Sequence, residues 1–150
     1  MHLKEKLNAD LKNALKSGNQ FMADVLRLLL AALHNREIDN RAKTGSPELT
    51  DEAVIQLLAA EAKKRKEAIE IFIKGSRADL VRKKEQELAI IKTYLPEEIS
   101  PREVEVKVVQ ILERLGTKDF GQAMKAVMQE LKGRADAKLI AEIVKKKLAN

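Results

Sequence analysis

Apolar side chains recur every three or four residues along the first half of the chain, which is the spacing of one face of an α-helix. A first stripe, stopped by Gly18, consists of Leu3, Leu7, Leu11 and Leu15. A second helix is predicted from Gln20 to about Lys43, with Asn19 as its N-cap. Its apolar stripe is wide, so we expect it to be the central helix of an N-terminal bundle.

Two more helices are predicted before residue 96. The segment from Thr44 to Leu49 contains Gly, Ser and Pro and is typical of a loop. Thr50 can cap a third helix that runs to Lys74, where Gly75 closes it. A fourth helix follows Ser76 and is stopped by Pro96, because the residue before a proline disfavours the α region.

Three shorter helices are predicted in the last third. Ser100, Pro101 and Glu103 form an N-cap, a proline at the first helical position and a capping-box glutamate. The helix that follows ends at Gly116. The next helix has Asp119 as its cap and Gln122 at the capping-box position. Its predicted apolar face consists of Phe120, Met124, Val127, Met128 and Leu131.

The same stretch predicts how the chain turns into its last helix. Gly133 supplies the left-handed residue that ends a helix at low cost, and Asp136 caps a final helix that runs to Leu148. No segment alternates with the period of a strand. The sequence therefore predicts an all-α fold of two subdomains, a four-helix bundle in residues 1–95 and three helices in residues 96–150, joined at Pro96–Ile99.

Composition narrows the function classes. The 150 residues include no Cys, which excludes a disulfide framework and thiolate metal sites. Aromatic residues make up only 3% of the chain. The formal net charge of +6 favours anionic partners. No apolar signal region or membrane-length apolar run is present, so we expect a soluble cytoplasmic protein with no membrane partner.

Candidate chemistry is sparse. His34 and Glu37 have the spacing of a helical metal-ligand pair, but no second pair accompanies them. The four serines fall at helix ends or in loops, and the six glycines are dispersed, so neither a nucleophile motif nor a phosphate loop is present. We expect no catalytic residue, metal, cofactor or small-molecule substrate.

Basic residues offer two readings. The run Lys63–Lys66 and the cations near Arg82 fit either a phosphate-binding face or a solvated helix pair, because acids lie at i, i+4. The lysines at 145–147 complement the dipole of the last helix. Lys132 and Arg134 flank the Gly133 turn, and there the functional and structural readings stay open.

The residues of the last third resemble a known family. The pattern is Phe-Gly-x-x-Met-x-x-Val-Met from Phe120, then Leu-Lys-Gly-Arg-Ala-Asp from Leu131, then a lysine-rich helix. With Tyr94-Leu95-Pro96 before it, this pattern is similar to the GatB/YqeY family. The family tail ends the B subunit of the glutamyl-tRNA(Gln)/aspartyl-tRNA(Asn) amidotransferase and some glutaminyl-tRNA synthetases. The short chain resembles the stand-alone form.

The resemblance implies a non-catalytic tRNA-associated module, because the family tail reads the outer corner of tRNA while the carbon–nitrogen ligase chemistry, with glutamine as amido donor, resides elsewhere. The expected partners are tRNA and an amidotransferase or aminoacyl-tRNA synthetase. The alternative is a protein-interaction module that docks onto a synthetase, an amidotransferase or the ribosome. The predicted nucleic-acid contacts are Gly121, Lys125, Lys132, Gly133 and Arg134.

Overall fold

The structure of the protein is a computed structural model that describes residues 2–131 and 133–150. These residues form α-helices joined by short loops and contain no strand, so the predicted all-α fold is confirmed. The helices are α1 (Leu3–Ser17), α2 (Gln20–Thr44), α3 (Asp51–Lys74), α4 (Ala78–Lys92), α5 (Pro101–Leu115), α6 (Phe120–Leu131) and α7 (Ala137–Leu148).

The contacts within the chain divide it into two compact units, Met1–Leu95 and Pro96–Asn150. In the first unit, α2 and α3 each contact the other three helices, so the predicted central position belongs to both of them. The buried core side chains are Leu7, Val25, Leu26, Leu29, Leu33, Val54, Leu57, Leu58, Ala62, Ile91 and Tyr94. That each unit folds by itself stays a prediction.

Tyr94 ties the end of the first unit back to its first helix. Its side chain is buried, and its hydroxyl donates a 2.5 Å hydrogen bond to Asp10 Oδ2 on α1. The Lys6 ammonium lies 4.9 Å from the centre of the Tyr94 ring and 3.4 Å from Asp10 Oδ2. The Tyr-Leu-Pro segment that supports the family resemblance thus has a structural task in this fold.

The predicted N-caps of four helices are confirmed. Each cap side chain accepts a hydrogen bond from a backbone N–H two or three residues later, which satisfies a donor that the helix itself leaves unpaired. The capping residues are Asn19, Thr50, Ser100 and Asp136.

The ends of α4 and α3 have features that the sequence did not predict. Helix α4 ends at Lys92, before Pro96, and Thr93, Tyr94 and Leu95 each donate to a carbonyl three residues earlier, so a tighter turn replaces the last α turn. At the end of α3 the left-handed residue is Ser76, with φ 55°, and Gly75 keeps a φ of −85°. Gly75 therefore caps α3 after Lys74, as predicted, and the left-handed residue comes one position later.

Two charged side chains are buried where sequence patterning places charges outside. Arg65 on α3 is 9% exposed, and its Nη1 donates to the carbonyl and the carboxylate of Glu61. Glu87 on α4 is 3% exposed and has the Lys84 ammonium 3.0 Å from its Oε2. That contact is an ion pair whose geometry is not that of a hydrogen bond. Arg65 therefore does not belong to an exposed basic run.

The second unit is built from α5, α6 and α7, which contact one another in all three pairs. Its buried core side chains are Val104, Val108, Ile111, Ala123, Val127, Leu131, Ile140 and Val144. The backbone N–H of Ile99 donates to the carbonyl of Arg134 at 2.9 Å, so the segment before α5 is fixed to the turn between α6 and α7.

Candidate nucleic-acid interface

Helix α6 carries two of the predicted contact residues, Gly121 and Lys125, and its start is held by a relay of hydrogen bonds. The Gln122 N–H donates to Asp119 Oδ2 at 2.9 Å, which confirms Asp119 as the cap. The predicted capping box is wrong in detail. The Asp119 N–H donates to Thr117 Oγ1, and that hydroxyl donates to Gln122 Oε1 at 2.8 Å. Thr117 therefore stands between the two residues that were expected to bond directly.

The buried face of α6 is also shifted from the prediction. Ala123, Val127 and Leu131 face the core, with Met124 and Met128 half-buried beside them. Phe120, predicted to belong to this face, is 44% exposed. Phe120 points toward the side of α6 that faces the core. As the first residue of the helix, however, it lies about one turn before Ala123, the first buried residue of α6.

The opposite face of α6 presents Gly121 and Lys125 to solvent. Both are exposed and they lie one turn apart. Within the part of the chain that the structure describes, Lys125 forms no ion pair. The one acid of α6, Glu130, is bonded to Arg114 of α5. The outer face of α6 therefore carries positive charge that no carboxylate on the helix cancels.

Gly133 and Arg134 form the turn after α6. Gly133 has φ 79°, the left-handed conformation predicted for it. Arg134 is half-buried and its carbonyl accepts the Ile99 N–H, but its guanidinium has no hydrogen-bond or ion-pair partner among residues 2–131 and 133–150. Lys132, the remaining predicted contact, lies outside the described residues.

These positions lie along α6 and in the turn that follows it. Gly121 is in the first turn of α6, whereas Gly133 and Arg134 follow its last turn. A helix of 12 residues is about 18 Å long, so the two ends of the set are separated by roughly that distance. We call Gly121, Lys125, Gly133 and Arg134 the α6 strip.

The lysines of α7 have mixed surroundings. The Lys147 ammonium lies 2.7 Å from Glu105 Oε1, and this contact lowers the pKa of the Glu105 carboxyl. Lys138 and Lys145 are exposed and form no ion pair with any described residue. Because Lys147 is paired with Glu105 of α5, the C-terminal lysines have a partly structural role. Their favourable interaction with the dipole of α7 indicates the same.

The basic segment of α3 is largely paired. Lys64 and Arg65 both contact Glu61, on the same face of the helix. Burial raises the pKa of Glu61, but hydrogen bonds from Arg65 and Lys64 outweigh it and leave that pKa below its ordinary value. Lys63 and Lys66 also have partners. This environment favours the reading of a solvated, internally paired helix face.

The candidate metal pair gains no ligands from the fold. The Glu37 carboxylate pairs with Lys4 at 2.6 Å, and His34 is exposed. Across the described ranges, no group of three His, Cys, Asp or Glu side chains is close enough to hold a metal ion. A search of the same residues found no helix that is both long and apolar enough to cross a bilayer.

The fold and the strip define an all-helical protein with a four-helix unit and a basic three-helix unit. Its sequence matches the family described as Yqey-like protein over residues 4–148. The chain therefore belongs to the YqeY-like family, which confirms the resemblance seen in the last third of the sequence.

Relatives found by sequence include fungal proteins named altered inheritance of mitochondria protein 41, mitochondrial. The one from Pyrenophora tritici-repentis is 35% identical over 95% of this chain and 77% of its own length. The one from Lachancea thermotolerans is 35% identical over 73% of this chain and 57% of its own length. The one from Vanderwaltozyma polyspora is 33% identical over 83% of this chain and 66% of its own length.

These names contradict the predicted cytoplasmic location, which is wrong by this comparison. They point to mitochondria. The prediction rested on the absence of an apolar signal region. Mitochondrial leaders are amphipathic and rich in arginine, so a test for apolar runs carries no information about them.

Proposed function

We propose that this chain is a non-catalytic helical module that binds tRNA through the α6 strip. The observation that carries the proposal is the unbalanced charge of that strip. Lys125 and Arg134 have no acidic partner among the described residues, whereas the single acid of α6 is bonded to Arg114. Phosphates supply the anions that such unpaired cations bind most strongly.

The shape of the strip supports an extended ligand. Lys125 and Arg134 are nine residues apart, and the strip follows one helix for about 18 Å. An arginine at a turn can bind a phosphate through two parallel N–H groups, and an exposed lysine acts as a point charge. A nucleic-acid backbone, with phosphates at regular intervals, fits this arrangement better than a single small anion.

In this proposal the chain contributes the RNA contact, and any glutamine-dependent carbon–nitrogen ligase chemistry belongs to a partner. An amidotransferase or an aminoacyl-tRNA synthetase is the partner class that the family relationship supports. The proposal assigns no reaction to this chain.

The test is a titration of fluorescently labelled folded tRNA with the protein at several salt concentrations. We expect the logarithm of the binding constant to fall linearly with the logarithm of the salt concentration. Replacing Lys125 and Arg134 by Gln should flatten that slope by about 0.7–0.9 log units for each lost phosphate contact. Lys132→Gln, added separately, measures whether the residue between them also contributes.

The matched control replaces Lys138 and Lys145 of α7 by Gln. These lysines are exposed, unpaired among the described residues and in the same unit, so the change in net charge is identical. If the control variant loses as much affinity as the strip variant, binding follows total charge and the α6 strip is not the site. If folded tRNA does not bind at near-physiological salt, the alternative of a protein-docking module replaces this proposal.

A further inference from the structure

Phe120 is an aromatic residue that the fold leaves uncovered. It is 44% exposed and is not among the side chains that pack on the core of the second unit. The other three aromatic residues are more protected, since Phe21 and Phe72 are half-buried and Tyr94 is buried. Single exposed apolar residues are common on protein surfaces, so exposure alone marks no site. The neighbours of Phe120 decide its role.

The backbone that carries Phe120 is firmly held. Before it, Gly116 has φ 67° and donates to the Leu112 carbonyl at 2.9 Å, which ends α5. After it, Asp119, Thr117 and Gln122 are joined by the hydrogen-bond relay described above. The exposed ring is therefore presented from a fixed loop and a capped helix.

Beside Phe120 the helix surface is bare. A side chain added at Gly121 would meet only Asp119 Oδ2, at 3.4 Å, among the described atoms. Lys125 follows one turn later, and because Cα–Cβ bonds tilt toward the helix N-terminus, its side chain starts out toward the turn of Gly121. Along the helix axis, Phe120, Gly121 and Lys125 thus follow one another within about 7.5 Å. Around the axis, Phe120 is turned about 100° from Gly121 and about 140° from Lys125, so a ligand that contacts all three winds around the first turns of α6.

The position of Asp119 determines where an uncharged ring and where a phosphate of a ligand is favoured. Its carboxylate accepts the Gln122 N–H and lies next to Gly121, so it repels an anion from the start of the helix. An uncharged planar ring is therefore favoured at Phe120 and Gly121, and a phosphate is favoured further along, at Lys125. This order of an aromatic platform followed by a cation is the pattern by which proteins hold unpaired bases.

We infer that Phe120, Gly121 and Lys125 form a stacking site for one unpaired nucleobase of a bound RNA. The base lies on the Phe120 ring, its sugar passes over Gly121, and its phosphate contacts Lys125. The inference rests on the proposed RNA binding and specifies which feature of the RNA the start of α6 reads: a base free of pairing and stacking, as found in loops.

The chain contains no tryptophan, which makes a direct test available. Phe120→Trp introduces a single indole reporter at the proposed platform. We expect its fluorescence to be quenched by folded tRNA and by a short unpaired RNA strand, and to change little with the same strand annealed to its complement. Leu115→Trp is the matched control, because Leu115 is likewise 45% exposed and next to a bare glycine, Gly116, but it is the last residue of α5, so no lysine follows it on the same helix.

Affinity measurements complete the test. Phe120→Ala should weaken binding of the unpaired strand about 5- to 150-fold, the range for loss of one aromatic stack. The salt dependence should stay unchanged, because no phosphate contact is lost; Lys125→Gln should reduce it. Phe120→Tyr should retain the wild-type affinity. Thermal unfolding by circular dichroism checks that each variant is folded.

The outcomes separate the two proposals. If Phe120→Ala binds RNA like the wild type while the Lys125 and Arg134 variant is weakened, the stacking site is wrong and the proposed function stands. If Leu115→Ala loses as much affinity as Phe120→Ala, the contact is a general apolar surface and the inference fails. If no RNA binds at near-physiological salt, both proposals fall.

Discussion

Ser76 holds a backbone conformation that costs free energy. It is a non-glycine residue with φ 55°, in the turn between α3 and α4. A side chain in the left-handed region is disfavoured by about 1–2 kcal/mol, and glycine avoids this at some cost in chain entropy. We therefore expect Ser76→Gly to raise the free energy of unfolding by roughly 0.5–1 kcal/mol, measured by urea denaturation.

Gly133 and Gly75 provide the controls for Ser76→Gly. Gly133 has φ 79°, so Gly133→Ala should destabilise by on the order of 1 kcal/mol. Gly75 has φ −85°, and an added side chain would meet the Ile71 carbonyl at an ordinary 3.6 Å. Gly75→Ala should therefore be tolerated. A large loss from Gly75→Ala together with no gain from Ser76→Gly would contradict this assignment of the left-handed residue.

Tyr94 makes stability sensitive to alkaline pH. Burial, together with the hydrogen bond to Asp10 and its negative charge, raises the pKa of the Tyr94 phenol above its ordinary value. The folded state therefore retains a proton that the unfolded state releases near pH 10, and stability falls as pH rises beyond about 10. Below that pH the contribution is fully present.

Tyr94→Phe tests this linkage. The variant should lose roughly 1–2 kcal/mol near neutral pH, because the hydrogen bond to Asp10 is removed. Its stability should then fall less steeply than that of the wild type between about pH 9 and pH 11. Urea unfolding across this range measures both slopes. Equal slopes for the two proteins would show that Tyr94 is not the responsible group.

The Lys84–Glu87 pair on α4 belongs to the scale of the element, because it lets a charged residue occupy a core position of the helix. Removing one partner of a buried pair leaves the other charge uncompensated, whereas replacing both by apolar residues of similar size is often neutral or stabilising. Lys84→Met should destabilise by about 1–3 kcal/mol, and Lys84→Met with Glu87→Leu should recover most of that loss.

Thermal and urea unfolding of the two single variants and the double variant form the cycle. Additive effects would mean that the two side chains do not interact. Asp79→Asn is a suitable control, because Asp79 and its partner Arg77 are mostly exposed and such surface pairs contribute little to stability.

At the same scale, helix positions follow from the sequence because apolar spacing and caps are local signals. Ser100 and Asp136 start their helices as predicted, since the capping bond involves only neighbouring residues. Burial of Arg65 and Glu87 depends on which helices pack together, and hydropathy assigns both to the surface. Phe120 has the apolar periodicity of a core residue, and its exposure follows from where the neighbouring helices end. The ends of α6 were predicted from Asp119 and Gly133, so the sequence also shows that Gly121 and Arg134 lie near opposite ends of this helix.

For the whole molecule, the chain passes from one apolar cluster to the other within a few residues around Pro96. Leu95 packs on the apolar cluster of the first unit, and Ile99 packs on that of the second. The few residues between them include Pro96, which cannot continue a helix. The second unit also fixes its own start through the Ile99–Arg134 bond. We therefore propose that the two units are separate cooperative folding units.

A fragment of residues 97–150 tests this proposal. It contains the complete buried cluster of α5, α6 and α7 and the Ile99–Arg134 bond, so it should keep helical circular dichroism and unfold cooperatively. About 50 residues supply a small core, so the fragment should be only marginally stable and unfold at a lower temperature than the full chain. Replacing core Val127 by Ala in the fragment should abolish its helical signal, whereas exposed Gln129→Ala should not. If the fragment is unfolded and the full chain melts in a single sharp transition, the units depend on each other and the division is only geometric.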